Sequence, residues 1–133
     1  MELIQEILKN SKSIAVIGFK KDEFETAYRV TQYMNEQGYK IYGVNPKLKE
    51  EKHFGNVVSE KVNDIAEKID LVNIFRKPEF LEEHADEILK MNPLPKYVWF
   101  QLGIYNDKAA EKLEEKGIKV IQNRCIMVEH SKL

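Results

Sequence analysis

The chain has little cysteine, no glycine-rich phosphate loop and no long apolar run, and each absence excludes some classes of protein. Cys125 is the one cysteine among 133 residues, so no internal disulfide can form. This is typical of a reducing compartment, and we expect a cytoplasmic protein. The segment MELIQEILKNSK alternates apolar and polar residues at helical spacing, unlike a signal peptide or membrane span. A net charge of −1 gives no global basic field for nucleic acid.

Metal and catalytic patterns are also missing from the sequence. The histidines His53, His84 and His130 share no metal-ligand spacing. His84 lies among acidic residues and is interpreted as part of a solvated helix face. For Cys125 we favour a small buried apolar role over the alternatives, a nucleophile or a disulfide with a ligand thiol. The sequence therefore predicts no metal site and no catalytic residues.

Apolar segments and amphipathic segments alternate along the chain. Strands are predicted at 13–17, 39–46, 70–76, 96–103 and 118–123, and helices near the N-terminus and at 24–37, 62–69, 78–92 and 106–117, with residues 47–61 irregular. A composition of 43% hydrophobic and 32% charged residues suits one domain, residues 1–133. We predict an α/β, Rossmann-like three-layer sandwich, with a parallel five-stranded sheet and helices on both faces.

Basic side chains follow the predicted strands at their carboxyl ends, where ligands bind in parallel sheets. Residues 18–21, 45–47, 76–78 and 101–103 follow the first four strands, and their titratable groups are all basic. Backbone N–H groups after Gly18, at the start of the 24–37 helix, are expected to bind a pyrophosphate. Solvated, lysine-rich loops are the alternative interpretation.

The details of two strand ends argue against NAD. The dinucleotide fingerprint would have glycines where Lys20 and Glu23 stand. An NAD site also has an acidic residue after strand two, to bind the ribose diol, and this chain has Asn45, Pro46 and Lys47 there. A basic side chain at this place suits a phosphorylated ribose, as in NADP or coenzyme A (CoA).

Five motifs in order resemble one known family. The segments AVIGF, YGVNPK, NIFRKPE, VWFQLG and NRCIMVEH, between residues 15 and 130, are similar to small stand-alone CoA-binding proteins. These proteins resemble the N-terminal CoA-binding domain of the succinyl-CoA synthetase alpha subunit. The resemblance implies CoA as cofactor and covers nearly the whole chain.

The resemblance also implies roles for thirteen residues. The pyrophosphate would be wrapped by Gly18, Phe19, Lys20 and Lys21. The adenosine and its 3′-phosphate would be bordered by Asn45, Pro46 and Lys47. The adenine and pantetheine side would be lined by Phe75, Arg76, Lys77 and Pro78, and the pantetheine arm would be flanked by Gln101 and Gly103.

One departure from the family pattern leaves two interpretations open. The family has Gly-Ala-Ser in the first loop, and here Phe19 and Lys20 replace the small pair. Either Phe19 packs inward while Lys20 contacts phosphate, or the loop no longer binds CoA.

The resemblance favours a non-catalytic CoA-binding module that acts on its own, as a homodimer or as a partner subunit. It would bind a small nucleotide ligand, with no nucleic acid or membrane as partner. The alternatives are a small NADP-dependent reductase-like protein and a regulatory domain that binds a partner instead of a nucleotide.

Overall fold

The computed structural model describes residues 2–133 and contains the predicted parallel sheet. The strands are β1 (Ser13–Ile17), β2 (Lys40–Val44), β3 (Lys52–His53), β4 (Asn56–Val57), β5 (Leu71–Ile74), β6 (Tyr97–Phe100) and β7 (Lys119–Ile121). Five of them form one sheet in the order β2-β1-β5-β6-β7, and every neighbouring pair is parallel. The pair β3-β4 forms a separate antiparallel hairpin.

Helices cover both faces of the sheet, so the predicted three-layer architecture is confirmed. The helices are α1 (Glu2–Asn10), α2 (Thr26–Glu36), α3 (Leu81–Ile88), α4 (Asp107–Glu114) and α5 (Ile126–Ser131). One apolar cluster joins a sheet face to α3 and α4, and a second joins the other face to α1, α2 and α5. Within residues 2–133, no helix is long and apolar enough to cross a bilayer.

The central strands are apolar on both sides because both of their faces are covered. All five residues of β1 are buried; Val16 belongs to one cluster and Ile17 to the other. Trp99 of β6 is fully buried, and its indole Nε1 donates to the Arg124 carbonyl at 2.8 Å. This bond ties the sheet to the segment before α5.

The structure differs from the sequence prediction between β2 and β5. The predicted 62–69 helix is wrong: only a 3-10 turn forms, Val62–Asp64, and Ile65 then adopts extended backbone. The Lys61 N–H donates to the Asp64 carboxylate at 3.2 Å, which closes a single turn. The irregular 47–61 stretch contains the β3-β4 hairpin, whose turn residues Phe54 and Gly55 both have positive φ.

Helix ends also differ from the predicted bounds. The 24–37 helix begins at Thr26, and the 78–92 helix begins as a 3-10 turn, Pro78–Phe80, before α3. The last helix, α5, was not predicted. It packs on the sheet through Ile126, which is fully buried.

Gly43 of β2 is a point where the core has no spare volume. A Cβ there would lie 2.9 Å from Phe19 Cδ2 and 3.3 Å from Val58 Cγ2. Phe19 is fully buried, so its ring has little room to move. We expect Gly43→Ala to lower the free energy of unfolding by about 1–3 kcal/mol through overpacking. Urea denaturation measures this change.

A second background isolates the Phe19 contact. In Phe19→Leu the planar ring is absent, so Gly43→Ala should cost clearly less than in the wild-type background. An equal cost in both backgrounds would show that the Phe19 contact is not its cause.

Candidate functional site

The chain reverses its direction along the sheet at β1, which creates a crevice between β1 and β5. β1 pairs with β2 on one side and with β5 on the other, and ligands in such sheets bind beside this switch point. Two adjoining cavities, of about 300 Å³ and about 550 Å³, lie there and share Gly18, Lys20, Phe75, Arg76 and Lys77. We call them together the switch-point cleft.

The structure brings all but two of the thirteen predicted site residues to this cleft. Those that line it are Gly18, Lys20, Asn45, Pro46, Lys47, Phe75, Arg76, Lys77, Pro78, Gln101 and Gly103. The side chains of Phe19 and Lys21 are engaged elsewhere. The sequence therefore gathered residues that line one cleft in the fold, and their roles in binding stay predictions.

Phe19 packs into the core and does not line the cleft, which corrects its expected place at the pyrophosphate. Its ring is fully buried, with ring centroids at 6.4 Å from Tyr28, 5.4 Å from His53 and 6.0 Å from Phe54. Phe19 therefore packs inward, and a contact between Lys20 and phosphate stays a prediction. The aromatic cluster fastens the loop after β1 to the β3-β4 hairpin.

Lys21 is also absent from the cleft because it forms an ion pair outside it. Its ammonium lies 3.2 Å from the Glu51 carboxylate, which also contacts His53 at 3.0 Å. The His53 hydrogen bond, followed by the Lys21 contact, holds the pKa of the Glu51 carboxyl below its ordinary value. Lys21 thus belongs to the hairpin side of the loop, with its charge partly neutralised.

The backbone donors for an anion lie further along the loop than the sequence indicated. The Gly18 and Phe19 N–H groups both donate to the Val44 carbonyl, at 3.0 and 3.3 Å, so the Phe19 N–H is not free for a phosphate. The Thr26 and Ala27 N–H groups, in the first turn of α2, donate to no acceptor within residues 2–133. Both residues line the cleft.

The start of α2 suits an anion for an electrostatic reason as well. Glu25 precedes it without a side-chain cap bond, so the partial positive charge of the helix end faces the cleft without a capping carboxylate. The Asp22 carboxylate accepts from the Phe24 N–H at 2.9 Å instead, which shapes the turn before the helix.

Four cationic side chains line the cleft, and none of them has a carboxylate partner among the described residues. They are Lys20, Lys47, Arg76 and Lys77. Each comes from a loop that follows a parallel strand, so the sheet itself gathers them. Three carboxylates also line the cleft: Glu60 is paired with Lys49 at 3.5 Å, Glu87 contacts His84 at 2.9 Å, and Glu25 has no ion-pair partner among residues 2–133. Four cations against these three carboxylates, one of them paired with a lysine outside the cleft, leave an excess of positive charge there.

Asn45 positions the cleft walls. Its Nδ2 donates to the Phe19 carbonyl at 2.7 Å, and its Oδ1 accepts from the Lys47 N–H at 2.9 Å. The second bond caps the 3-10 turn Pro46–Leu48. Asn45 therefore joins the loop after β1 to the turn that carries Lys47.

The opposite end of the cleft is fixed by bonds to the last loop. The buried Gln101 side chain accepts from the Ile126 N–H at 3.0 Å, and the Gly103 N–H donates to Asn123 Oδ1 at 2.7 Å. Cys125 lines this end and packs against the apolar cluster of α1, α2 and α5, but it is half-buried and therefore more accessible than the predicted small buried role implies. Leu102 and Ile104 make this part of the cleft more apolar.

The polar cleft residues that the sequence missed include two neighbouring side chains of α3, His84 and Glu87. His84 was expected on a solvated face, yet its side chain is only 14% exposed and contacts Glu87 at 2.9 Å. The signal was present in the helical spacing, because residues three and four apart share one face. The acidic residues next to His84 in the sequence led instead to the expectation of a solvated helix face.

Comparison with known proteins identifies the family. The family model described as "CoA binding domain" matches residues 12–131. The chain belongs to this family. The resemblance inferred from the five motifs is therefore confirmed.

Three relatives illustrate how the domain is used. The uncharacterized protein YneT of Bacillus subtilis is 38% identical over 128 residues, covering 96% of this chain and 92% of YneT. A Thermus thermophilus structure, described as cell-free ID.343, superposes with a TM-score of 0.92 at 37% identity, covering 98% and 96% of the two chains. The ADP-forming acetate–CoA ligase of Methanocaldococcus jannaschii is 29% identical over 121 residues, and the match spans 86% of this chain but 17% of the ligase.

Gly18 sets the floor of the cleft and gives a test of its geometry. Its φ is +82°, and an added Cβ would lie 2.2 Å from the Phe75 carbonyl oxygen. We expect Gly18→Ala to lower the free energy of unfolding by about 3 kcal/mol or more, because backbone strain and overlap add. Urea denaturation followed by circular dichroism measures the change.

Gly38 is the matched control. Its φ is +99°, but a Cβ there meets no atom within 4 Å. Gly38→Ala should therefore show only the strain of the positive φ, about 1 kcal/mol. Equal losses for the two variants would contradict the close approach at Gly18.

Proposed function

We propose that this chain is a non-catalytic module that holds coenzyme A, or an acyl-CoA, in the switch-point cleft. The observation that carries the proposal is the convergence of four unpaired cations with the uncapped start of α2. CoA carries a 3′-phosphate and a pyrophosphate, and charge-assisted contacts to phosphate are among the stronger hydrogen bonds. Membership of the CoA-binding domain family supports the same ligand.

The two parts of the cleft suit the two ends of CoA. The smaller cavity contains Asn45, Pro46 and Lys47, where a base replaces the acid of an NAD site. We assign the adenosine and its 3′-phosphate to this end. The larger cavity contains Ala27, Leu102 and Ile104, which suit the mostly apolar pantetheine arm.

The polar groups of the cleft support ligand binding rather than catalysis. Of the histidines in residues 2–133, His84 alone lines the cleft, and both of its ring nitrogens are hydrogen-bonded. The Asn45 and Gln101 amides support neighbouring loops, as described above. A catalytic base must be held in position against its substrate, and the exposed Glu25 carboxylate, which also lines the cleft, has no side chain that positions it among residues 2–133. We therefore favour a carrier, sensor or partner-subunit role in the cytoplasm.

A ligand panel tests the proposal. The melting temperature of the wild-type chain is measured with CoA, acetyl-CoA, dephospho-CoA, NADPH and NADH. We expect clear stabilisation by CoA, less by dephospho-CoA and little by NADH, because a ligand stabilises only by binding the native state. At a free CoA concentration of about 100 times its Kd, the gain is about 2.7 kcal/mol.

Other outcomes select other functions. Stabilisation by NADPH and not by CoA would favour the reductase-like alternative. A chain that responds to none of these ligands would favour a regulatory domain that binds a partner, and the CoA proposal would be wrong.

Lys47 provides a finer test of how CoA lies in the cleft. If its exposed ammonium contacts the 3′-phosphate, Lys47→Ala should weaken CoA about tenfold and dephospho-CoA less than about twofold. Isothermal titration calorimetry measures both affinities.

Lys21→Ala is the matched control, since it removes a lysine that faces Glu51 outside the cleft. It should leave both affinities within about twofold of wild type. Equal losses of CoA and dephospho-CoA in Lys47→Ala would remove Lys47 from the 3′-phosphate.

A further inference from the structure

Three side chains form a hydrogen-bonded chain along one wall of the cleft. Arg76 Nε donates to His84 Nε2 at 3.2 Å, and His84 Nδ1 lies 2.9 Å from Glu87 Oε1. The side chains of His84 and Glu87 are 14% and 16% exposed, whereas Arg76 is exposed to solvent. All three residues line the smaller cavity.

The donors and acceptors fix the protonation of His84. A guanidinium Nε–H only donates, so His84 Nε2 must accept and carries no proton. The ring proton is then on Nδ1, which donates to the Glu87 carboxylate. His84 is thus a neutral ring placed between a cation and an anion.

This arrangement leaves part of Arg76 available. The guanidinium carbon lies 4.4 Å from the centre of the Phe80 ring, and Nε is used by His84. The two terminal nitrogens, Nη1 and Nη2, have no partner in residues 2–133. Two terminal N–H groups on one edge of a planar fork match two oxygens of a phosphoryl group.

We propose that His84 and Glu87 are positioning residues that hold Arg76 so that its terminal edge binds a phosphoryl group of the ligand. The inference rests on the proposed CoA function and names residues of the same site. His84 has two effects. It fixes Nε, and it separates the Glu87 carboxylate from the guanidinium, so that Arg76 is not neutralised by a direct ion pair.

The physical gain is pre-organisation. A free arginine loses rotamer entropy when it binds a ligand, and a side chain already held by a bond and a stacking contact loses less. A lysine ammonium could donate to His84, but it has no planar fork that would leave two further N–H groups on one edge for a phosphoryl group. The positioning role is therefore specific to arginine at residue 76.

A double-mutant cycle tests the inference. CoA affinity is measured by calorimetry for the wild type, Arg76→Ala, His84→Leu and the double variant. We expect Arg76→Ala to weaken CoA at least about tenfold and His84→Leu about fivefold. The double variant should match Arg76→Ala within about twofold, because His84 acts through Arg76.

Two further variants distinguish a positioning role from a purely structural one, because they change single bonds of this chain and CoA affinity is measured for each. His84→Gln keeps a carbonyl acceptor for Arg76 and should retain affinity within about twofold of wild type. Glu87→Leu releases the ring without changing His84 and should weaken CoA by about twofold to fivefold. Melting temperatures without ligand show that each variant folds, and Glu87→Leu tests the same chain if His84→Leu does not.

The outcomes separate the inference from the proposed function. If the wild type binds CoA and both His84→Leu and Glu87→Leu bind it equally well, the positioning role is wrong and the CoA function stands. The positioning role is also wrong if His84→Leu causes its full loss in the Arg76→Ala background. A wild-type chain that does not bind CoA overturns the proposed function and, with it, this inference.

Discussion

The close approach between Gly18 and the Phe75 carbonyl is the constraint on which the site depends. The end of β1 is bonded to both of its neighbours: the Gly18 N–H donates to Val44, and the Phe75 N–H donates to the Ile17 carbonyl at 2.8 Å. The loops that follow β1, β2 and β5 therefore leave the sheet in fixed positions. No side chain fits between the loop after β1 and the loop after β5. The cationic residues follow immediately in each loop, so one missing Cβ helps to determine where their charges lie.

The distribution of carboxylates explains why the cleft stays positive in a chain of nearly balanced charge. Glu51 is occupied by Lys21 and His53, and Glu60 by Lys49. Exposed pairs of this kind contribute little to folding, usually below about 1 kcal/mol. Their consequence is for binding, because they keep nearby anions away from the lysines that face the cleft. Glu87 is likewise kept apart from a cation of the cleft, because the neutral His84 ring lies between Glu87 and Arg76.

The sheet and the location of the site were predictable because both depend on local patterns. Apolar strands and amphipathic helices alternate visibly, and a residue that follows a parallel strand must lie at the carboxyl edge. This rule alone placed Lys20, Lys47 and Arg76 at that edge, and all three line the cleft. Charge and spacing had left the ligand open between NADP and CoA, and the resemblance then favoured CoA.

What the sequence could not give were contacts between distant segments. The burial of Phe19 depends on Gly43, 24 positions away, whose missing side chain makes room for the ring. Likewise, the environment of His84 is decided by Arg76, which belongs to the loop before its helix. Local charge predicted a solvated histidine, and the tertiary contact overrode that expectation.

Phe19 shows how the first loop can depart from the family pattern and still form a site. Small residues would let phosphates approach the loop backbone, whereas here the Phe19 N–H is bonded to Val44. Full burial of a phenylalanine contributes about 1.5–3 kcal/mol, so this residue anchors the loop. In the proposed CoA complex the anion donors come from elsewhere: the first turn of α2, Lys20 and Arg76, all of which line the cleft. Under that proposal, a rigid loop with donors beside it takes the place of a loop that donates by itself, and one glycine with a cluster of cations is the pattern expected in the sequence.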